Sequence, residues 1–481
     1  MRHAHSFLAI SLAAMLGACT VGPNYVKPEI ATPATFKEAQ GWKAAEPKDE
    51  LPRGKWWESF NDPVLNGLAE QVEVSNQNIR AAEAQFRQAR ALAQQARAGS
   101  YPTVSGSGSV TRSRSGGTSS TNTNISRTST LYKLGLDASW EPDIWGKVQR
   151  SVESGNADVQ ASAADIAAAK LSAQAELAQD YFLLRVADER KKLLDDTVAA
   201  YEKSLQLTKN QYAVGVVARG DVVTAETQLK SAQAQAVDVG VQRAQLEHAI
   251  AVLIGKAPAE FTIAPVTFNL ALPDIPVGVP SALLERRPDI AAAERRAASA
   301  NAQIGVAQAA FYPDLTLSAA AGFQSASFAK WLTYPSRFWT LGPSLAQIIF
   351  DGGLRKAKTE QAIAAYDENV ANYRQNVLTA FQEVEDNLSS LRILEEEARL
   401  QDEAVKAARE SVAITTNQYK AGTVSYINVV NVQTIALTNE RNALAILGNR
   451  LTAAVQLVKA LGGGWNVSEL DEVAQAPKAE H

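Results

Sequence analysis

The chain has 481 residues, with 47 Lys and Arg against 51 Asp and Glu and a formal charge of −4. That length suits about three compact units or one elongated one, and the slightly acidic balance argues against a nucleic-acid partner, which calls for a basic face and a basic total. Four histidines, one cysteine and two methionines leave almost no material for histidine catalysis, disulfides or soft metal sites, so no catalytic residue, cofactor or metal is expected.

The N-terminus reads as an address. Arg2 supplies a positive start, Phe7 to Leu16 a short apolar run, and Gly17-Ala18 a small-residue cleavage site, so residues 1–18 read as a secretory signal peptide. Leu16-Gly17-Ala18-Cys19 resembles the bacterial lipobox, which makes Cys19 the lipidated residue, carrying palmitate or similar chains, and residues 19–61 a lipidated N-terminal segment. Thr20 follows it, which by resemblance to lipoprotein sorting favours the outer membrane over the inner one. Beyond the leader no apolar stretch approaches the ~20 residues of a membrane helix, so further membrane contact must use strands.

The remainder is written twice. Ile79-Arg80-Ala81-Ala82-Glu83 is echoed by Ile290-Ala291-Ala292-Ala293-Glu294, Tyr101-Pro102 by Tyr312-Pro313, Gly146 by Gly353, and Gln211-Tyr212 with Gly215 by Gln418-Tyr419 with Gly422. Four pairs in order indicate two structural repeats, at 62–270 and 281–464, each reading helix, strands, long helix, turn, helix, with 465–481 as a tail. In the second, Ile363, Tyr366, Val370, Tyr373, Val377, Phe381, Val384, Leu388 and Leu391 recur at spacings of three and four, a coiled-coil seam. Proline is absent from Gly146 to Tyr212 and from Gly353 to Tyr419, so each stretch can form a helix about 100 Å long.

Between the helices the period becomes two. Leu134, Leu136, Ala138 and Trp140 alternate with Lys133, Gly135, Asp137 and Ser139, and Leu315, Leu317, Ala319, Ala321 and Phe323 alternate with Thr316, Ser318, Ala320 and Gly322. Weaker alternation adds two more segments, giving strands at about 103–114, 131–141, 314–323 and 338–349, each long enough to cross a membrane when tilted. The Ser/Thr/Asn/Gly-rich stretch 112–130, with Arg112, Arg114 and Arg127, reads as a solvated loop. Four spanning strands cannot close a barrel, and unpaired edges in a bilayer cost several kcal/mol per group. If the strands span, several chains must share one barrel, and periodicity alone leaves two, three or four open.

Several motifs in order resemble a known family from Cys19 to about Gly464. They are Val21-Gly22-Pro23-Asn24-Tyr25, Trp56 to Pro63, Arg287-Pro288-Asp289-Ile290 with Glu294, Ile304-Gly305-Val306-Ala307 leading to Tyr312-Pro313, Phe350-Asp351-Gly352-Gly353, and Gln418-Tyr419 with Gly422. They are similar to the lipoprotein branch, the NodT type, of the TolC-like outer membrane efflux proteins. The resemblance implies a mainly α protein with a membrane β-barrel portion: a homotrimer whose 12-stranded barrel stands over a periplasmic α-helical barrel. It also implies a passive exit duct, serving an inner-membrane RND-type transporter through a periplasmic adaptor, and no enzyme activity. Gly215, Val216 and Gly220 of the first turn, and Gly422, Thr423 and Ser425 of the second, would lie at the adaptor-docking tips, where glycine can end a helix and admit a partner. Tyr426, Ile427, Asn428 and Asn431 would form the periplasmic gate, with Asn431 standing where similar proteins carry an Asp. A mature chain without methionine leans against a thioether copper relay, leaving small organic compounds as cargo. The competing reading, a lipid-anchored coiled-coil adaptor, does not explain the two-copy layout or the four alternating segments.

Overall fold

The computed structural model describes residues 20–38, 55–118, 124–266, 283–468 and 470. Residues 1–18, read as a signal peptide, Cys19 and the end of the tail lie outside the described residues. Seven helices carry most of the described chain: α1 (Pro63–Ser75), α2 (Gln77–Ala98), α3 (Lys147–Ala213), α4 (Arg219–Leu253), α5 (Pro288–Ala309), α6 (Leu354–Lys420) and α7 (Tyr426–Ala460). Four strands, β1 (Thr103–Thr118), β2 (Asn124–Trp140), β3 (Asp314–Ser325) and β4 (Arg337–Ala346), form one antiparallel sheet in chain order. The partners α2 and α5 have 22 residues each, α3 and α6 have 67, and α4 and α7 have 35. Among the described residues no helix is long and apolar enough to cross a membrane.

Two compact units divide the chain. The first takes Met1–Glu29, Phe86–Ser162 and Ala293–Tyr373, and so holds the sheet. Its helices approach closely because small residues face each other: a Cβ on Gly155 would lie 3.1 Å from Ala93 Cα, and Ser154 Oγ shares a 2.9 Å hydrogen bond with Ser299 Oγ. Residues 20–25 form a strap on these helices. Arg150, buried, donates from Nε to the Val21 carbonyl and from Nη2 to the Gly22 carbonyl and Asn24 Oδ1. Gly22 has φ +99°, and a Cβ there would lie 2.4 Å from Gly305 Cα, so only glycine fits on both counts. Tyr25 Oη donates to Glu294 Oε1 at 2.5 Å, and burial beside that carboxylate pushes its phenol well above the usual range.

The second unit takes Ile30–Gln85, Ala163–Ala292 and Arg374–His481. Trp56, Trp57 and Phe60 are buried with Tyr181 and Phe182, and Asp62 caps α1 by accepting from Val64 and Leu65 N–H while receiving the Tyr181 hydroxyl at 2.7 Å. Of the expected seam, Tyr373 of the first unit and Val377, Val384, Leu388 and Leu391 of the second are buried, whereas Ile363 is exposed.

The strands correct the sequence reading at their outer ends. The stretch read as loop continues the ladder, with Arg112 opposite Thr130 and Thr118 opposite Asn124. Ladder hydrogen bonds join backbone groups, which Ser, Thr and Gly supply as readily as Val, so a polar composition does not end a hairpin. Conversely β4 stops at Ala346 rather than 349. Pro343, which cannot donate to a ladder, lies on β4, the end strand of the sheet within one chain.

Candidate functional site

The sheet is two-faced. Register places Gly106, Gly108 and Val110 beside Leu136, Leu134 and Tyr132, these beside Ala321, Phe323 and Ser325, and Ala319 and Ala321 beside Leu341 and Trp339. Between Val104 and Val110 this face is apolar, and on β4 it is open: Trp339 and Leu341 are 77% and 76% exposed. The opposite face carries Ser105, Ser107, Lys133, Asp137, Ser139, Thr316, Ser318, Phe338, Thr340 and Ser344. On it Ser107 donates to Asp137 at 3.2 Å and Lys133 Nζ lies 5.3 Å from the Phe338 ring centre. One face suits hydrocarbon and the other water, the division of a barrel wall. Aromatic residues gather at both ends, with Tyr132, Phe328 and Trp331 in mutual ring contact at the hairpin end and Trp145 stacked on Tyr312 at the helix end, where amphipathic rings meet a membrane interface.

The two helical turns form the second candidate region. Gly215 (φ +77°) and Gly422 (φ +74°) close α3 and α6 in the same way: Gly215 N–H donates to the Tyr212 carbonyl and Val216 N–H to Gln211, as Gly422 N–H does to Tyr419 and Thr423 N–H to Gln418. This is a Schellman ending, which uses a left-handed residue to satisfy the last carbonyls. A Cβ on Gly215, Gly220 or Gly422 would meet nothing within 4 Å. Val216, Gly220, Thr423 and Ser425 are exposed, while Val217 and Val424 pack onto the tip core.

That core holds Tyr201, Leu205, Ala225, Leu229, Tyr419, Tyr426 and Val429. Tyr426, expected in the gate, instead points into it: the side chain is 1% exposed, lies 5.4 Å from the Tyr419 ring and hydrogen-bonds Gln228 at 3.3 Å. Its position at the start of α7 puts it on the buried stripe with Val429 and Gln433, and burial lifts its phenol to about 12. Ile427, Asn428 and Asn431 lie together on the uncovered face of the same helix, at the spacing that places residues one turn apart. The sequence reading missed Gln228, whose amide links Tyr426 to Gln433, and Thr208, which meets the Tyr419 hydroxyl at 3.2 Å; a glutamine on a helix gives no sign of its distant partner.

Residues 68–256 and 279–463 match the outer membrane efflux protein family. The chain belongs to that family. It is 30% identical over 467 residues, 96% of each chain, to the probable efflux pump outer membrane protein TtgC of Pseudomonas putida, and 31% identical to nodulation protein T of Rhizobium leguminosarum, over 94% of this chain and 96% of that one. Among solved structures, the outer-membrane channel OprN superposes with a TM-score of 0.87 at 32% identity, over 93% of this chain and all of that one. The protein is therefore an outer membrane channel component of an efflux system. Its two-faced sheet is the membrane portion of the TolC-like fold, and its paired long helices are the helical portion.

The family motifs now have physical roles. Arg287 forks onto Asp289 with Nε and Nη2, and reaches Glu383 at 2.6 Å and the Ala460 carbonyl at 3.3 Å with Nη1. Asp351 caps α6, accepting from Gly353 and Arg355 N–H.

Proposed function

We propose that three copies of this chain close a 12-stranded barrel that, with a periplasmic tube of the long helices, forms the exit duct of a tripartite pump. The observation that carries this is the sheet itself: four strands with a hydrocarbon face and a water face, ending in two edge strands, β1 and β4. Edges cannot stand in a bilayer unpaired, and β1 of one copy joined to β4 of the next removes them all. Cys19, acylated, adds a lipid anchor directly before the strap at residues 20–25, and acyl chains supplement a hold that the barrel already provides.

The duct performs no chemistry. An RND-type transporter and a periplasmic adaptor deliver cargo, and small organic compounds fit that role; relatives named for antibiotic and toluene efflux support it. The adaptor docks at the tips, on Gly215, Val216 and Gly220 and on Gly422, Thr423 and Ser425, where the three glycines, with nothing within 4 Å of a Cβ position, leave room for a partner helix. Ile427, Asn428 and Asn431 face the axis as the gate, braced from behind by Tyr426. Purified full-length protein is expected to have the mass of three chains and to give discrete single-channel conductance in planar bilayers. A monomeric particle, or bilayers without conductance, would overturn this reading.

A further inference from the structure

The apolar face of the sheet contains a groove of about 960 Å³. Its floor is Gly106, Gly108 and Ala321, its walls are Leu134, Leu136, Phe323 and Trp339, and Tyr334 and Arg337 stand at its hairpin end. The loop between β3 and β4 folds back on this same face, since Phe328 and Trp331 contact the ring of Tyr132, which shares a face with Leu134 and Leu136. Arg337 lies opposite Phe323 in the register and over the Tyr334 ring, 3.1 Å from its centre. Two further cations stand toward this end of the sheet: Lys330 is exposed in the loop, and Arg112, three strands across from Arg337, continues the outward row of β1 beyond Val110. The groove begins where the apolar band begins and opens where the positive charge stands.

We propose that this groove holds one acyl chain of an outer-leaflet lipid that carries several chains and more than one phosphate, the chemistry of lipid A, with Arg337 and Lys330 on a phosphate. The inference rests on the sheet being a barrel wall. Small residues in a row of large ones leave a chain-wide slot, and a guanidinium held on an aromatic ring is suited to a phosphate oxygen. Cations spread across the outer end of the sheet favour a large, multiply phosphorylated head over a zwitterionic one. The hairpin end is opposite the end where the helices enter the strands, which places the site in the outer leaflet.

The test uses the detergent-purified full-length protein, with lipid A, phosphatidylglycerol or phosphatidylethanolamine added singly and retention read by native mass spectrometry. The parent is expected to retain lipid A about tenfold more than either phospholipid. Arg337→Gln with Lys330→Gln should lower that by about tenfold. Gly106→Leu with Gly108→Leu should lower it too, by filling the slot; a Cβ at these positions meets Leu136 and Leu134 side chains at ordinary distances of 3.6 and 3.8 Å. Equal retention of phosphatidylglycerol, or unchanged lipid A retention in the Arg337/Lys330 variant, overturns the proposal. Mass and conductance of the same samples report assembly separately, so a failure of the barrel reading is distinguishable from a failure to bind lipid.

Discussion

The two copies meet their own helix ends in the same way with different residues. In the first, Gly255 ends α4, its Cβ position lies 2.4 Å from the Ser75 carbonyl oxygen, and Asn76 Nδ2 donates to the Leu253 carbonyl at 2.8 Å. In the second, Gly462 ends α7, its Cβ position lies 2.0 Å from the Arg286 carbonyl oxygen, and Arg287 takes the Ala460 carbonyl. Backbone geometry is thus shared while chemistry diverges. Asn76 also caps α2 through Asn78 and Ile79 N–H, a self-sufficient neutral arrangement. Arg287 brings a buried charge and needs Asp289 and Glu383 to hold it. A junction that must bind one carbonyl can be built cheaply with an amide, or with an ion cluster that ties more elements together and is more damaging to break.

Removing Arg287 should have the largest effect. Arg287→Ala leaves two carboxylates, 42% and 43% exposed, and the Ala460 carbonyl without their shared donor; because solvent reaches both carboxylates the loss is about 2–4 kcal/mol, whereas Asn76→Ala loses a cap and one hydrogen bond, about 1–3 kcal/mol. Thermal unfolding of the detergent-solubilised variants should rank them in that order, and equal losses would show that the ion cluster adds nothing to the amide.

The glycines sharpen the contrast next. Gly462→Ala meets a backbone oxygen that cannot yield, so it should cost more than the strain of a left-handed residue alone. Gly422→Ala meets open space and should lose only about 1–2 kcal/mol. Gly422→Trp should leave assembly intact yet abolish crosslinking to the adaptor and drug efflux. Normal pumping by Gly215→Trp and Gly422→Trp alike would reduce the tips to helix caps.

A third difference lies midway along the long helices, where Asp180 and Glu176 of the first copy correspond to Asn387 and Glu383 of the second. Glu383 has Arg287, but the first copy has Asn76 at the matching place. Burial, with Glu176 adding to it, lifts the Asp180 carboxyl from 3.8 to about 6. The folded state therefore binds a proton that the unfolded chain has released, and stability falls as pH rises from about 4 to about 6 and stays reduced above that. Asp180→Asn, which copies the second repeat, should raise stability at pH 8 by about 1–2 kcal/mol after allowance for solvent screening, and leave it unchanged at pH 4. Identical gains at both pH values would point to packing instead of charge.

What the sequence made legible follows physical reach. Period two marked the strands and their faces, and Gly215 and Gly422 marked the helix ends, because side-chain alternation and left-handed glycines are local. The pairs Asn76 with Leu253 and Arg287 with Ala460 carry no local signal, since nothing in the spacing near Arg287 announces a helix that ends at Ala460. The hairpin beyond Thr111 was hidden for the opposite reason: its composition is that of a loop, and only backbone pairing makes it a strand. The place of Tyr426 after the turn suggests a gate residue, but its side chain lies on the buried stripe of α7.

The tips complete the comparison and give the smallest effect. Tyr212 in the first is 46% exposed, whereas its counterpart Tyr419 is 3% exposed and packs on Tyr426, so the second tip is the better braced and presents Asn431 where the first has Thr224. Each Asn431 amide offers two donors and two acceptor lone pairs, and three of them about an axis can bridge directly or through water for about 1 kcal/mol per bond. Asn431→Ala should therefore raise resting conductance and vancomycin leakage while leaving assembly untouched. Asn431→Asp should make closure depend on pH, since three carboxylates brought together repel when ionised and raise one another's pKa; the ring should close better as pH falls from about 8 to about 5. Tyr426→Phe removes only the hydrogen bond to Gln228 and should have a weaker effect of the same sign as Asn431→Ala, because it loosens the brace without touching the ring. Conductance equal to the parent in both Asn431 variants across that range would move the gate away from Asn431, with Ile427 on the same uncovered face the next residue to truncate.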